Sequence, residues 1–516
     1  MTTISVGEVT TLVIQGRLAE AEEACRQAVK VHPDEVGYWV VLGVALTLQN
    51  RPEEGEAALR SGLGVNPTDL NCRNNLGMAL WEQGRIEEAK EEFQAVLQQM
   101  PAARNAHSNL LCCDQYLPGI TPAALAASHA EWDQRHAAAL RSTWRPHAVT
   151  RDPNRRLRLG FISPNLQATA VGYFLIRAFE QLDRDQCETV CYYDKLTPDH
   201  ITARFKAAAT AWRWVQSLSD EALAEQVRAD RIDVLFDLTG HTGRSRLLVF
   251  ARKPAPIQVT WIGYEGTTGL SAMDYIVADD CQIAAGEERF YREKVLRLPG
   301  GYVCYDPPAD APEVGPLPAQ TQGHVTFASF NNPAKITPQV VAAWADILRR
   351  LPYARLVIKF RGLDSPQNGR RFVDRFAAEG IAPDRLELRG FSPHGEYLAQ
   401  HNGVDVVLDC FPFSGSLTTC NSLWMGVPTV TCRGETFAGR HSWNHLSNIG
   451  LAELAAGDSS EYVKLAVALA QDLPRLAKLR TELRERVRVS PLCDGTRVAC
   501  HLLQLLRGAW WQWSQS

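Results

Sequence analysis

Three prolines, Pro33, Pro67 and Pro101, recur at a spacing of 34 residues, and each closes a helical stretch: "AVKVHP", "GLGVNP" and "VLQQMP". Other positions keep the same period. Gly16-Arg17, Asn50-Arg51 and Gly84-Arg85 mark turns between helices, Ala21, Gly55 and Ala89 keep the following helix slim, and Leu42, Leu76 and Leu110 open helix interiors. A helical pair of this length cannot bury its apolar face alone, so neighbouring units must stack. The front of the chain is therefore constrained to a helical solenoid.

A 34-residue helix-turn-helix unit with small residues at the crossing and a terminal proline is the tetratricopeptide pattern. The sequence carries two full repeats, a partial first one, and a last helix near 106–116, so residues 1–116 are assigned to the repeats. Such stacks present a concave surface suited to a protein or peptide, although so short an array can equally serve as a packing shoulder. "TPAALAASHAEWDQRHAAAL" then reads as a helix capped by Thr121, within a helical linker over 117–154.

From Arg156 the period changes to short apolar strands between amphipathic helices. "LRLGFIS", "CETVCYY", "IDVLFDL", "PIQVTWIGY" and "MDYIVAD" predict one parallel sheet; "HVTFASF", "RLVIKF", "RLELRG", "VDVVLDC" and "PTVTC" predict a second. A Pro- and Gly-rich stretch between the sets breaks both periods. The expected organisation is a first α/β lobe over 155–300, an interlobe linker over 301–323, and a second lobe over 324–516 closed by a C-terminal helix. Two such lobes imply a ligand cleft between them.

Composition narrows the function classes. A net charge of -4 gives no electrostatic case for nucleic acid. The amino terminus lacks a basic segment followed by an apolar one, and the longest apolar run, "YWVVLGVALTL", is too short to span a bilayer. The 13 Cys show no paired CxxC framework and are expected to be reduced core thiols. These features predict a cytoplasmic protein without a membrane or metal partner.

Three stretches carry candidate chemistry, each at the carboxyl end of a predicted strand. In "DLTGHTGRSRL", Gly240 and Gly243 are small enough to let a ligand near the backbone, and His241 is a general base, a sugar hydrogen-bonding group, or a structural or merely exposed imidazole. In "FASFNNPAKITP", Asn331, Asn332 and Lys335 lie in the turn before a helix capped by Thr337, where a lysine can meet phosphate oxygens. In "FSGSLTTCNS", Gly415, Ser416, Thr418 and Thr419 offer N–H and hydroxyl donors at a helix start. On its own that run is also an ordinary capped turn. Its combination with Lys335 favours a cradle for a departing nucleoside diphosphate. No GxGxxG or GxxxxGK[ST] follows an assigned strand, which weighs against dehydrogenase and P-loop readings.

"KPAPIQVTWIGYEGTTG", "MDYIVAD", "FNNPAKI", "VDVVLDCFPFSGSLTTCNSLWMGVPTVT" and "GETFAGRHS", in this order behind the repeats, resemble the O-GlcNAc transferase and SPINDLY family, glycosyltransferase family 41. The resemblance covers nearly the whole chain. It implies a GT-B fold of two Rossmann-like lobes and an inverting, metal-independent transfer from a nucleotide sugar, by default UDP-GlcNAc, to Ser or Thr of a protein. It also implies that Lys335 contacts the donor diphosphate, with Asn332 beside it, that Ser416, Leu417 and Thr418 form the phosphate loop, and that Tyr397, with His394 one turn earlier, faces the nucleobase.

Two positions depart from the pattern. Thr169 stands where the family commonly has a histidine discussed as a base, which leaves His241 as the nearest imidazole, or no side-chain base. Asn421 replaces the Asp or Glu expected at the ribose, so GDP-fucose or another nucleotide sugar stays open as donor. An adaptor that has lost transferase activity is the alternative from another class; Lys335 argues against it.

Overall fold

The structure, a computed structural model, describes residues 4–516. Helices Val6–Ile14, Leu18–Val31, Val36–Leu48, Pro52–Val65, Leu70–Glu82, Ile86–Gln99 and Arg104–Asp114 form the predicted solenoid. Its turns explain their residues. Gly16, Asn50 and Gly84 have φ of 78°, 62° and 71°, the left-handed region that glycine and asparagine tolerate best. The small residues sit at the crossings: a Cβ on Gly43 would lie 2.4 Å from Leu59, and one on Gly77 2.7 Å from Phe93. Two of the three turn arginines also tie repeats together, Arg51 to Glu22 at 2.8 Å and Arg85 to Glu56 at 2.7 Å, while Arg17 pairs with Glu20 of its own helix.

The linker helix Pro122–Trp132 starts where Thr121 accepts a hydrogen bond from the Ala124 amide at 3.2 Å. Two all-parallel sheets follow. The first has β1 (Leu157–Ser163), β2 (Cys187–Tyr193), β3 (Ala211–Trp214), β4 (Val234–Asp237), β5 (Ile257–Thr260), β6 (Tyr275–Ala278) and β7 (Lys294–Arg297) in the order 3-2-1-4-5-6-7. The second has β8 (Thr326–Ser329), β9 (Arg355–Lys359), β10 (Leu386–Arg389), β11 (Val406–Leu408), β12 (Thr429–Cys432) and β13 (Ala455–Ala456) in the order 10-9-8-11-12-13. Each order reverses once, at β1/β4 and at β8/β11. Open parallel sheets bind ligands outside the carboxyl ends of their strands at such reversals. The loops leaving β1, β4, β8 and β11 contain Thr169, His241, Lys335 and Gly415 respectively.

The sequence pattern missed β3, β7 and β13. All three are sheet edges, where the continuous apolar run of a doubly covered strand gives way to mixed residues. Two further features differ from expectation. The interlobe segment begins buried: Tyr302, Val303, Cys304 and Tyr305 are inside the protein, with the Tyr305 amide donating to Leu492 O at 2.7 Å. The C-terminal helix Gly495–Gln515, assigned with the second lobe by chain order, packs on the first. Its Trp510 indole donates to Asp152 O at 3.0 Å, and a Cβ on Gly495 would lie 2.6 Å from Arg177 O. The chain thus ends by clasping the lobe it had left.

The solenoid touches both lobes, the first through Arg104, which donates to Asp220 at 3.2 Å. Asn368 Nδ2 donates to Asn50 O at 2.9 Å, and Gly84 packs beside the Pro333–Lys335 turn. Among the described residues no helix is long and apolar enough to cross a membrane.

Candidate active site

β11 ends at Leu408, and the buried Asp409 that follows organises the loop after it. Its carboxylate accepts hydrogen bonds from the amides of Gly415 at 2.7 Å and Cys410 at 2.9 Å, from Asn331 Nδ2 at 3.1 Å and from Thr431 Oγ1 at 2.7 Å. Asn331 in turn accepts from Thr418 Oγ1 at 3.1 Å. Thr419 Oγ1 and Ser442 Oγ are 2.7 Å apart, and Ser442 also donates to Gly415 O at 2.9 Å. The loops of β8 and β11 are thereby fixed to one another. Gly415 is required by closeness, since a Cβ there would lie 2.7 to 2.9 Å from Thr419 Oγ1, Asp409 Oδ1 and Thr418 Oγ1.

The helix that follows, Leu417–Trp424, begins after Ser416, whose side chain makes no cap. The capped-turn explanation of this hydroxyl-rich run therefore does not apply at Ser416. The first-turn amides of a helix have no acceptor within the helix, and such groups attract anions in general. Lys335 closes one side. It sits in the 3-10 turn Pro333–Lys335, its Nζ donates to Ser414 O at 2.8 Å, and it lies 3.9 Å from the centre of the Phe413 ring. Burial lowers its pKa while Asp409 opposes that shift. An ammonium has three donors, so two remain beyond the Ser414 carbonyl.

Leu417, Thr418, Asn421, Tyr397 and His394 line one cleft of about 480 Å³, whose opposite wall includes Tyr173 and His200 of the first lobe. His394 stacks on Tyr173 at 5.9 Å and on Tyr397 at 6.0 Å. Asn421 Oδ1 accepts from Tyr305 OH at 2.8 Å, and Tyr397 OH bonds the same amide. The position where a carboxylate was expected is thus a neutral Tyr–Asn–Tyr bridge built from three separate segments.

Three predicted residues are placed otherwise than the sequence suggested. Asn332 uses its Oδ1 to accept from the Ala334 amide at 2.9 Å and bonds Glu82 of the solenoid; Asn331 is the amide that joins the cradle. His241 is buried against the solenoid and the linker helix. Its Nε2 lies 2.8 Å from Thr268 O and its Nδ1 3.3 Å from Ser108 Oγ, with Trp132, His129 and Tyr264 around the ring. Burial holds its pKa well below the ordinary value. An imidazole with both nitrogens engaged by protein has no free lone pair for a substrate proton. Gly240 is small for Tyr264, not for a ligand, because a Cβ there would lie 2.2 Å from the Tyr264 Cβ.

Thr169 Oγ1 donates to Asn165 O at 3.1 Å within its own loop. Asp409, Ser442 and Tyr305 were not anticipated as parts of the site. Asp409 had a signal, the lone acid ending a buried strand; Tyr305 had none, being more than a hundred residues from its partner. Among the described residues no group of three His, Cys, Asp or Glu side chains is arranged to hold a metal ion.

The glycosyl transferase family 41 profile matches residues 94–308 and 317–502, and tetratricopeptide profiles match 7–69 and 70–98. A Petunia hybrida protein described as a probable UDP-N-acetylglucosamine–peptide N-acetylglucosaminyltransferase SPINDLY is 36% identical over 388 residues, 74% of this chain and 42% of that protein. The Arabidopsis thaliana SPINDLY protein matches with the same identity and the same shares. The chain thus spans less than half the length of these curated relatives. A solved structure of a lysine-to-methionine mutant of the Thermobaculum terrenum O-GlcNAc transferase superposes with a TM-score of 0.94 at 35% identity, covering 99% of this chain and 97% of that one. A solenoid docked on two parallel-sheet lobes and a profile spanning most of both lobes agree: this chain belongs to glycosyl transferase family 41.

Proposed function

We propose that this chain transfers N-acetylglucosamine from UDP-GlcNAc to Ser or Thr hydroxyls of proteins, with inversion and without a metal ion. One observation carries the reading: Lys335 and the Gly415–Thr419 loop converge at the β8/β11 reversal, beside a cleft shared with the first lobe. In the transfer, the acceptor oxygen attacks the anomeric carbon while the bond to the diphosphate breaks. Negative charge then grows on the diphosphate, beside the Lys335 ammonium and the first amides of helix Leu417–Trp424. Stabilising that charge in a partly desolvated site is usually the largest catalytic contribution, about 3 to 4 kcal/mol for a single donor. The solenoid is read as the surface that brings the protein acceptor. The described activities of the Thermobaculum and SPINDLY proteins support the default donor and acceptor.

The neutral bridge at Asn421 favours a second donor reading, another nucleotide sugar such as GDP-fucose, because no carboxylate faces a ribose there. A thermal-shift panel of UDP- and GDP-sugars, followed by labelled-sugar transfer to proteins, tests both. Lys335→Met should lower transfer at least 100-fold. Stabilisation by GDP compounds with none by UDP compounds would replace the default donor, and no transfer by the unaltered chain with any donor would favour the adaptor.

A further inference from the structure

The solenoid ends against the cradle. Its last helix, Arg104–Asp114, leads into Tyr116, whose ring lies 4.8 Å from that of Phe413 in the loop after β11, with 42° between the ring planes. Trp81, in helix Leu70–Glu82, meets the Tyr116 ring edge-on at 5.7 Å. Phe413 in turn carries the Lys335 ammonium over its face, with Nζ 3.9 Å from the ring centre. Three rings from three segments therefore form an unbroken chain of contacts from the solenoid to the lysine.

The backbone that bears Lys335 is held from the same side. Gly84 of the solenoid lies against the 3-10 turn, so that a Cβ on it would be 3.3 Å from Pro333 O and 3.4 Å from Ala334 Cα. Asn332, which accepts from the Ala334 amide, bonds Glu82. Ala334, Phe413 and Ala438 are buried in one apolar cluster with Leu80, Phe93 and Tyr116. The core of the solenoid thus continues into both the lysine turn and the cradle loop.

The groups that touch the ammonium, the Ser414 carbonyl at 2.8 Å and the Phe413 face, are uncharged. A ring face attracts a cation through its quadrupole and, unlike a carboxylate, does not neutralise it. A lysine stem is flexible, and a charge fixed beforehand needs no reorganisation when the opposite charge develops beside it. Phe413 can fix the ammonium only while its own ring is held, and Tyr116 is the solenoid's contact with that ring.

We propose that Tyr116 and Phe413 are positioning residues for the transfer: Tyr116 fixes the Phe413 ring, and that ring fixes the Lys335 ammonium where negative charge grows on the diphosphate. This rests on the transferase reading above. The end of the solenoid is then one wall of the donor site, two contacts removed from the diphosphate.

The test is calorimetry on the full chain with UDP, or with GDP if UDP gives no heat, alongside unfolding free energies from denaturant titration. Tyr116→Leu and Phe413→Leu keep apolar bulk and remove a ring; each should weaken binding about 5- to 30-fold, the range of a partly desolvated cation–π contact. Because the effect passes through the ammonium, Tyr116→Leu should change affinity less than about twofold in a Lys335→Met background, and should add less than about twofold to Phe413→Leu. Tyr116→Phe, which restores the ring, should bring affinity back to within about twofold of the unaltered chain. A folded Tyr116→Leu protein that binds within twofold of the unaltered chain, or that loses affinity equally with and without Lys335, overturns the assignment; the second result would make Tyr116 a packing residue only. If Tyr116→Leu does not fold, Phe413→Leu with and without Lys335→Met decides by the same criteria. Absence of binding by the unaltered chain to either nucleotide overturns the transferase reading itself, and this assignment with it.

Discussion

Gly415→Ala adds one carbon to the most crowded point of the cradle. Its Cβ would lie 2.7 Å from Thr419 Oγ1 and 2.9 Å from both Thr418 Oγ1 and Asp409 Oδ1, closer than such atoms approach without movement. Asp409 cannot yield, because its Oδ1 holds the Gly415 and Cys410 amides and Asn331. The two threonine hydroxyls must turn, Thr419 away from Ser442 and Thr418 away from Asn331. At about 1 kcal/mol for each neutral hydrogen bond, the displaced cradle stands about 2 kcal/mol above its present state. If it shifts permanently and must be restored when a diphosphate binds, that energy appears as roughly 30-fold weaker UDP binding. If it holds its shape, the same energy is lost from folding stability. Calorimetry with UDP and denaturant unfolding together capture both outcomes. UDP affinity within twofold and an unchanged unfolding free energy would refute the proposed packing and with it the rigid cradle.

Three further outcomes follow from the same contacts. Asn421→Asp should strengthen binding of a ribose hydroxyl by about 1 kcal/mol, roughly fivefold, because a charge-assisted bond replaces a neutral one; calorimetry with UDP at pH 8 that gives no gain would show that no ribose hydroxyl meets this position. His241→Gln keeps a donor for Thr268 O and should cost about 1 to 3 kcal/mol of stability while kcat stays within threefold; a hundredfold fall in kcat with stability unchanged would restore His241 as a catalytic candidate. Folding stability should fall as pH drops below about 6.5, since burial depresses His129 to about 4 and His401 and His445 to about 3. The unfolded chain then binds protons that the native state refuses, up to about 1.4 kcal/mol per pH unit for each histidine. Asp237, raised by burial to about 6, and Glu265 oppose this over part of the range, because their native forms hold protons that the unfolded chain releases. Denaturant titrations at pH 5 and 7 showing equal or greater stability at pH 5 would contradict the balance.

The fold was legible wherever one residue type has one physical use. A proline every 34 residues ends helices, the Gly or Asn before each turn arginine occupies a left-handed turn, and a continuous apolar run marks a strand covered on both faces. The edge strands β3, β7 and β13 were missed because one exposed side removes that run. The C-terminal helix was assigned to the wrong lobe because chain order says nothing of which surface a terminal segment covers. Gly495, packed against Arg177 of the first lobe, and Trp510, bonded to Asp152 at the end of the linker before it, find their partners more than 300 residues away.

The site divides along the same line. The placement of Lys335, Gly415, Ser416, Leu417 and Thr418 at strand ends was readable because a strand, a turn and a helix start lie within a dozen residues of each other; their role in holding a diphosphate belongs to the proposal above. His241 misled because a loop imidazole looks the same in sequence whether it faces a cleft or the underside of a helix; only Ser108, His129 and Trp132, supplied by the solenoid and its linker, decide between them. The same holds in reverse for Glu265. Within "GYEGTTG" it looks like a solvated loop acid, and its enclosure arises only when Gln115 of the solenoid's end, the linker helix and Phe437 of the second lobe close around it. The solenoid therefore also shapes the interior of the lobes. By covering His241 it takes one imidazole out of the cleft, and by walling in Glu265 it helps to raise that carboxyl to about 7.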